Sequence, residues 1–298
     1  MVSVRINWTE ETFPGCDGTT LFRRHAGPVD GRPVVLCDGV GCDGYIWRYL
    51  APDLVLRGHR VIHWQYRAHG FSEAPTDPTR LQITDLAQDL RCLLEEMDLQ
   101  EACLVGHSMG VQVVVEAWRQ QPDRIVGLGL LFGSAGRPLD TFGGDDRLAR
   151  WIPVMRQLAR RMGKRGRAVW RGVLHSRLSL LVGLATELNA QRIRPSDFVP
   201  YLDTLAEMDP VHFVDTVWAA GQHDARDALE EIDLPTLILA AGHDGFTPSR
   251  LSDAMASQIA GSVYEVLPEA SHAAPLEFPD EVNEFVGDFI DALSAEER

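Results

Sequence analysis

The sequence predicts an α/β protein: a mostly parallel central sheet with helices on both faces, interrupted by an inserted helical cap. Three observations carry this. On both flanks of the chain, short apolar runs alternate with segments of helical periodicity, the pattern of a parallel sheet covered on both sides. Between about residues 139 and 228 nothing reads as a strand; there is only amphipathic helical pattern, broken by glycine and proline. The chain is 298 residues long with 45% hydrophobic and 24% charged residues, a globular composition with length enough for a sizeable core. The expected organisation is a core made of residues 1–138 and 229–298, with residues 139–228 as a cap or lid.

Taken in order, residues 2–8 and 20–25 read as strands around the turn-forming Pro14-Gly15-Cys16-Asp17-Gly18. Residues 33–37 form a short apolar strand that runs into Asp38-Gly39-Val40-Gly41. Residues 45–56 read as a helix and 60–66 as the next strand. Over residues 83–97, Leu86, Leu90, Leu93, Leu94 and Met97 recur at helical spacing, with Thr84 as the expected cap. Residues 102–106 are a buried strand ending in a tight turn, 111–121 a helix, and 125–132 another apolar strand. In the middle segment Trp151, Val154, Met155, Leu158 and Met162 lie at helical spacing, and Val169, Trp170, Val173 and Leu174 make a second such face. Leu234-Pro235 introduces a strand at 236–241; the last strand is expected at 262–267 and the closing helix at 281–293.

Composition excludes several classes. The net charge of −15 argues against nucleic acid as a partner, because phosphate binding needs a basic surface. The charge is uneven: residues 137–177 carry eleven basic residues against three acidic ones. That stretch reads as a solvated face or as an anion-attracting lid. Five cysteines (Cys16, Cys37, Cys42, Cys92 and Cys103) are an odd number, too few for a disulfide framework at this length. A reducing cytoplasm is therefore the expected compartment, and Cys37 and Cys42, which flank Asp38-Gly39-Val40-Gly41, are expected as buried free thiols rather than a redox pair. No apolar window approaches the roughly 18 residues of a membrane span, and the start of the chain lacks a basic-then-apolar leader. No His/Cys/Asp cluster has metal-ligand spacing, and Gly39-Val40-Gly41 lacks the rest of a dinucleotide fingerprint. No metal and no cofactor are expected.

The chemistry is concentrated at Gly106-His107-Ser108-Met109-Gly110, a G-x-S-x-G sequence between an expected strand and an expected helix. A strained turn there lifts the serine to the carboxyl end of the sheet, at the amino terminus of a helix whose dipole favours developing negative charge. A serine hydroxyl is a poor nucleophile until a base takes its proton and a carboxylate orients that base. Asp244 follows the strand at 236–241, in Gly242-His243-Asp244-Gly245, a turn where aspartate is common in any case. His272 follows the last strand, in Ala270-Ser271-His272-Ala273. Serine, aspartate and histidine thus occur in that order, each on a loop after a strand.

With these residues the sequence resembles the α/β-hydrolase superfamily, in its serine-nucleophile subgroup with a helical cap, over nearly the whole chain. Arg67-Ala68-His69-Gly70-Phe71-Ser72 is similar to the family's R-G-H-G-x-S loop. Pro122-Asp123-Arg124-Ile125 is similar to its segment after the elbow helix, and Pro279, Asn283 and Phe285 to its carboxyl-terminal helix. The resemblance implies Ser108, Asp244 and His272 as a catalytic triad, with the backbone N–H groups of Val40 and Met109 as oxyanion donors. Relatives usually carry His-Gly where this chain has Asp38-Gly39, and a carboxylate beside an oxyanion is unhelpful unless it points away or is hydrogen-bonded. Gln65 replaces the usual aspartate, Ala68 a glycine, and Val111 the second glycine after the elbow. His69 and His107 receive no proton-transfer role. The implied activity is hydrolysis of a carboxylic ester, lactone or thioester of a small, largely apolar substrate through an acyl-enzyme. A lyase, a transferase or a C–C bond hydrolase on the same triad is the alternative, with Asp38 its support; a ligand receptor with negligible turnover is a third. Asp38, Trp151, Met155, Trp170 and Trp218 are the candidate pocket residues. The expected partner is the small-molecule substrate, with no nucleic acid and no membrane span; the sequence leaves the oligomeric state open.

Overall fold

The computed structural model describes residues 6–140, 147–176, 179, 189 and 191–295. Strands β1 (Thr9–Pro14) and β2 (Thr20–Ala26) form an antiparallel hairpin, and β2 pairs antiparallel with β4 (Arg60–Trp64). Every further pairing is parallel. β3 (Pro33–Cys37) lies between β4 and β5 (Ala102–His107), and β6 (Ile125–Leu131), β7 (Thr236–Ala241) and β8 (Val263–Leu267) continue outward. All residues of β5 and of β7 are buried, as strands covered on both faces must be. Alternation along β5 divides the core: Leu104 joins the cluster of α2 (Ile83–Glu96), α3 (Met109–Gln120) and α8 (Ser249–Gln258). Cys103 and Val105 join the cluster of α1 (Leu50–Leu56) and α9 (Pro279–Ala295). The chain is therefore an α/β protein with an eight-stranded, mostly parallel sheet.

Between β6 and β7 the described residues contain no strand. They form four helices, α4 (Arg147–Arg161), α5 (Lys164–Leu174), α6 (Pro195–Glu207) and α7 (Pro210–Gln222). α4 packs on α7 and α5 on α6, with a small apolar cluster of Leu139, Ile152, Ala159 and Val214.

Several expectations are corrected. The first strand is Thr9–Pro14 rather than residues 2–8, of which 2–5 lie outside the described residues. It is an edge strand with one buried side chain, Phe13, so no apolar pattern marks it. The tight turn fixes its register, with the Gly15 N–H donating to the Thr19 carbonyl at 2.8 Å. The helix expected at 45–56 is two pieces, a 3₁₀ turn Tyr45–Trp47 and α1, since Pro52 has no N–H to donate to the Arg48 carbonyl in a continuous helix. The α2 cap is Gln82 rather than Thr84, and the Asp85 carboxylate accepts the Gln82 N–H at 3.0 Å.

Cys16 and Cys92, 76 residues apart, form a disulfide, so the thiol count loses its force as an argument for a reducing compartment. Their apposition is tertiary. Arg67, fully buried, pairs with Asp89 on α2 at 2.6 Å and with Asp17 in the β1–β2 turn at 2.8 Å, and the Cys16 N–H donates to Asp89 at 3.1 Å. Cys37, Cys42 and Cys103 are free and buried, and burial pushes the Cys37 and Cys103 thiols up to about 12.

Candidate active site

β5 ends at His107 and α3 begins at Met109, so Ser108 is the single residue between strand and helix. Its backbone lies at φ 57°, ψ −119°, a region that costs an L-residue about 1–3 kcal/mol. So tight a turn closes only if its flanks lack side chains. A Cβ on Gly106 would sit 2.4 Å from the Gly110 carbonyl oxygen, and one on Gly110 would sit 2.2 Å from that of Cys37.

The loops after β7 and β8 bring two further residues to Ser108. His272 Nε2 lies 2.9 Å from Ser108 Oγ, and His272 Nδ1 lies 2.8 Å from Asp244 Oδ2. The Phe246 and Thr247 N–H groups both donate to Asp244 Oδ1 at 2.8 Å, and the Thr247 hydroxyl is 2.9 Å from Oδ2. Burial alone would raise the Asp244 pKa; the neighbouring His272 and the bonds from Thr247 outweigh it and hold the carboxyl below its usual range. An ionised Asp244 accepts the Nδ1–H of His272, which leaves the Nε2 lone pair facing the serine hydroxyl.

Two supporting contacts were not read from the sequence. His107 Nε2 donates to the His272 backbone carbonyl at 2.9 Å. Burial, reinforced by the nearby His272, pushes its pKa down to about 3, so it anchors the loop as a neutral ring. Thr247 also reaches the Phe132 carbonyl at 2.9 Å, tying the Asp244 turn to the end of β6. The spacing Asp244-x-x-Thr247 is the one available signal, as a side chain capping its own turn.

Asp38 does not line the cavity beside Ser108. Its carboxylate, buried, accepts Trp47 Nε1–H at 2.6 Å and meets His63 Nε2 at 2.8 Å, while the Tyr66 hydroxyl donates to its backbone carbonyl at 2.8 Å. The unusual carboxylate is thus hydrogen-bonded within the fold. Gly39, the next residue, comes so close that a Cβ there would lie 3.1 Å from Ser108 Cβ.

A cavity of about 210 Å³ opens on Ser108, with Val40, Met109 and Gln112 as its floor and Leu139, Ile152, Met155 and Phe213 among its roof. Of the expected pocket residues only Met155 lines it. Trp151 is 62% exposed on the outer side of α4. Trp170 Nε1 donates to the Leu205 carbonyl at 2.9 Å, and the Arg156 guanidinium lies 5.1 Å over the Trp218 ring. These indoles make contacts between helices. The reason is rotational: burying Ile152 and Ala159 against α7 turns Trp151, 100° away on the helix, to solvent. The arginines divide similarly. Arg156 and Arg160 pair with Asp215 at 2.6 and 3.2 Å, Arg167 pairs with Asp209 at 3.0 Å, and Arg171 with Glu207. Among the described residues no group of three or more His, Cys, Asp or Glu could hold a metal ion, and no helix is long and apolar enough to cross a membrane.

The model of the alpha/beta hydrolase fold matches residues 32–279. The RutD protein of Caulobacter sp. strain K31, named for carbamate hydrolysis, is 24% identical over 287 residues, covering 91% of this chain and 95% of that protein. Among solved structures, the enol-lactonase from Burkholderia xenovorans LB400 superposes with a TM-score of 0.78 at 24% identity, over 94% of this chain and all of its own. An esterase from Exiguobacterium antarcticum gives 0.77 at 22% identity, over 94% of this chain and 98% of its own. With the family model spanning most of its length, the chain belongs to the alpha/beta hydrolase fold family and is an enzyme of the hydrolase type.

Proposed function

We propose that the protein is a serine hydrolase that cleaves a carboxylic ester, lactone or thioester of a small, largely apolar substrate through an acyl-enzyme. The observation that carries this is the relay of Ser108 Oγ to His272 Nε2 at 2.9 Å and His272 Nδ1 to Asp244 at 2.8 Å, opening on an apolar cavity. Ser108 Oγ attacks the carbonyl carbon as its proton passes to His272 Nε2, and the carbonyl oxygen becomes an oxyanion. The Val40 and Met109 N–H groups receive it; Met109 is the first residue of α3, where helix N–H groups lack intrahelical partners. Collapse expels the alcohol or thiol, which takes the proton from Nε2. Water, deprotonated by the same nitrogen, then attacks the acyl-enzyme, and the acid leaves as Ser108 regains its proton. Residues 139–228 act as the cap that sets the size and polarity of the substrate. The esterase and enol-lactonase among similar structures favour the ester and lactone members of this substrate class.

The same three groups would serve a lyase or acyl transferase, but Asp38, the residue that favoured that reading, spends its carboxylate on Trp47 and His63. The decisive experiment is fluorophosphonate labelling with a panel of p-nitrophenyl esters of increasing chain length and analysis of the products. Labelling at Ser108, acid plus alcohol as products, and a loss of at least about a thousandfold in turnover in Ser108→Ala are expected. If the alanine variant keeps more than about a tenth of the activity, the covalent route is wrong. Tight ligand binding with less than one turnover in many minutes would instead mark a receptor.

A further inference from the structure

α4 has two apolar faces, and among the described residues only one of them packs on a neighbouring helix. Ile152 and Ala159 pack against α7, whereas Trp151, Val154, Met155 and Leu158 follow one another at i, i+3, i+4 and i+7 and form a single stripe toward solvent. Trp151 is 62% and Leu158 66% exposed, and α5 adds Val169 and Val173, one turn apart and more than half exposed. Single exposed apolar side chains are ordinary, but a continuous stripe that includes an indole marks a surface that is covered in use.

Charge identifies what covers it. The chain as a whole carries −15, yet residues 137–177 hold eleven basic residues against three acidic ones. Arg156, Arg160, Arg167 and Arg171 are used in ion pairs with α6, α7 and the turn between them. Among the described residues Arg161, Lys164 and Arg165 have no ion-pair partner; they stand exposed at the end of α4 and the start of α5, the helices that carry the two apolar stripes. A helix ridge with tryptophan and leucine along its outer side and unpaired cations at its end has the chemistry of an interfacial helix on an anionic bilayer: the apolar side chains enter the acyl boundary and the cations meet the headgroups.

We propose that the outer face of α4 and the α4–α5 turn dock the protein on an anionic lipid surface. Met155 belongs both to the stripe and to the wall of the cavity over Ser108, so docking sets the cavity mouth on the bilayer. An apolar substrate then passes from lipid to the serine without crossing water; this second part rests on the hydrolase mechanism proposed above.

The full chain and its Ser108→Ala variant are sedimented with phosphatidylcholine vesicles, either pure or containing about 30% phosphatidylglycerol, at low and near-physiological salt. The alanine variant makes the binding result independent of whether Ser108 is the nucleophile. Both proteins are expected to bind the anionic vesicles at least tenfold more than the neutral ones, and less as salt rises. The double variant Trp151→Asp/Leu158→Asp and the triple variant Arg161→Glu/Lys164→Glu/Arg165→Glu should each lose at least tenfold of that binding. Both should hydrolyse a water-soluble ester within about twofold of the parent, which shows that they fold. Equal binding to the two vesicle types, no binding, or unchanged binding by both variants overturns the proposal. So does a dimer in light scattering that the double variant dissociates, since the stripe would then belong to a second copy of the chain.

Discussion

Ser108 and Ala68 share a positive φ, 57° and 61°, but for different reasons. At Ser108 the strained turn presents the hydroxyl, and Gly106 and Gly110 make room for it. Ala68 occupies the place where the family's R-G-H-G-x-S loop has glycine, and its N–H donates to the Glu73 carbonyl at 2.9 Å, a bond that glycine would keep. Ala68→Gly should therefore stabilise the protein by about 0.5–1 kcal/mol, the left-handed penalty less the extra chain entropy of glycine. That is a melting temperature higher by roughly 1–3 °C, and a lower one would show that the alanine methyl is used in packing. Asp38 makes the opposite case. Asp38→Ala strands Trp47 Nε1 and His63 Nε2 in the core and loosens the strand end that leads to Gly39 and Val40. A destabilisation of about 2–5 kcal/mol is expected, the cost of leaving two buried ring N–H groups without an acceptor, with kcat lowered more than KM is raised. Asp38→Asn keeps an acceptor for Trp47 and should recover most of the stability. Equal kcat in the alanine variant would uncouple this network from the oxyanion loop.

At the scale of elements, rotation of α4 about its axis decides which of its side chains line the cavity over Ser108. Helical spacing places Trp151, Met155 and Ile152 within one broad apolar arc, and the sequence has no means of choosing its centre. Packing on α7 sets that centre near Ile152 and Ala159, which puts Met155 at the edge and Trp151 outside. Phe213→Ala should consequently reorder the ester panel, raising the relative rate on bulky acyl groups, while Trp151→Ala leaves the ranking unchanged on soluble substrates. The checkable quantity is the ratio of kcat/KM for long- and short-chain p-nitrophenyl esters. A larger change from Trp151→Ala than from Phe213→Ala would place the pocket on the other face of α4.

Over the whole molecule, burial disfavours protonation of several histidines together. His25, His59, His69 and His223 are held below the ordinary 6.5 chiefly by desolvation, and His107 is taken to about 3. Unfolding releases these rings to bind protons near their ordinary value, so each contributes stability that is complete above pH 6.5 and lost as pH falls toward its folded pKa. The Asp244 carboxyl, held below 3.8, acts in the same direction at lower pH. The melting temperature should fall steadily from about pH 7 to pH 4, and His107→Gln should flatten part of that slope. A constant melting temperature across this range would show that the rings charge freely in the folded state.

What the sequence determined by itself is local or periodic. Strand–helix alternation with buried runs such as Thr236–Ala241 implied the covered parallel sheet, and G-x-S-x-G between a strand and a helix implied the turn at Ser108. Asp244 and His272 were legible because each follows a strand, and parallel strands bring the loops at their carboxyl ends together. The tertiary structure alone decided the rest. Asp38 could be read only as a charge beside an oxyanion loop until Trp47 and His63, nine and 25 residues away, were seen to bind it. Cys16 and Cys92 counted as two thiols until the Arg67 network brought their elements together. The tryptophans of the middle helices looked like pocket walls because periodicity reports that a face is apolar, and only packing against a neighbour reports where that face points.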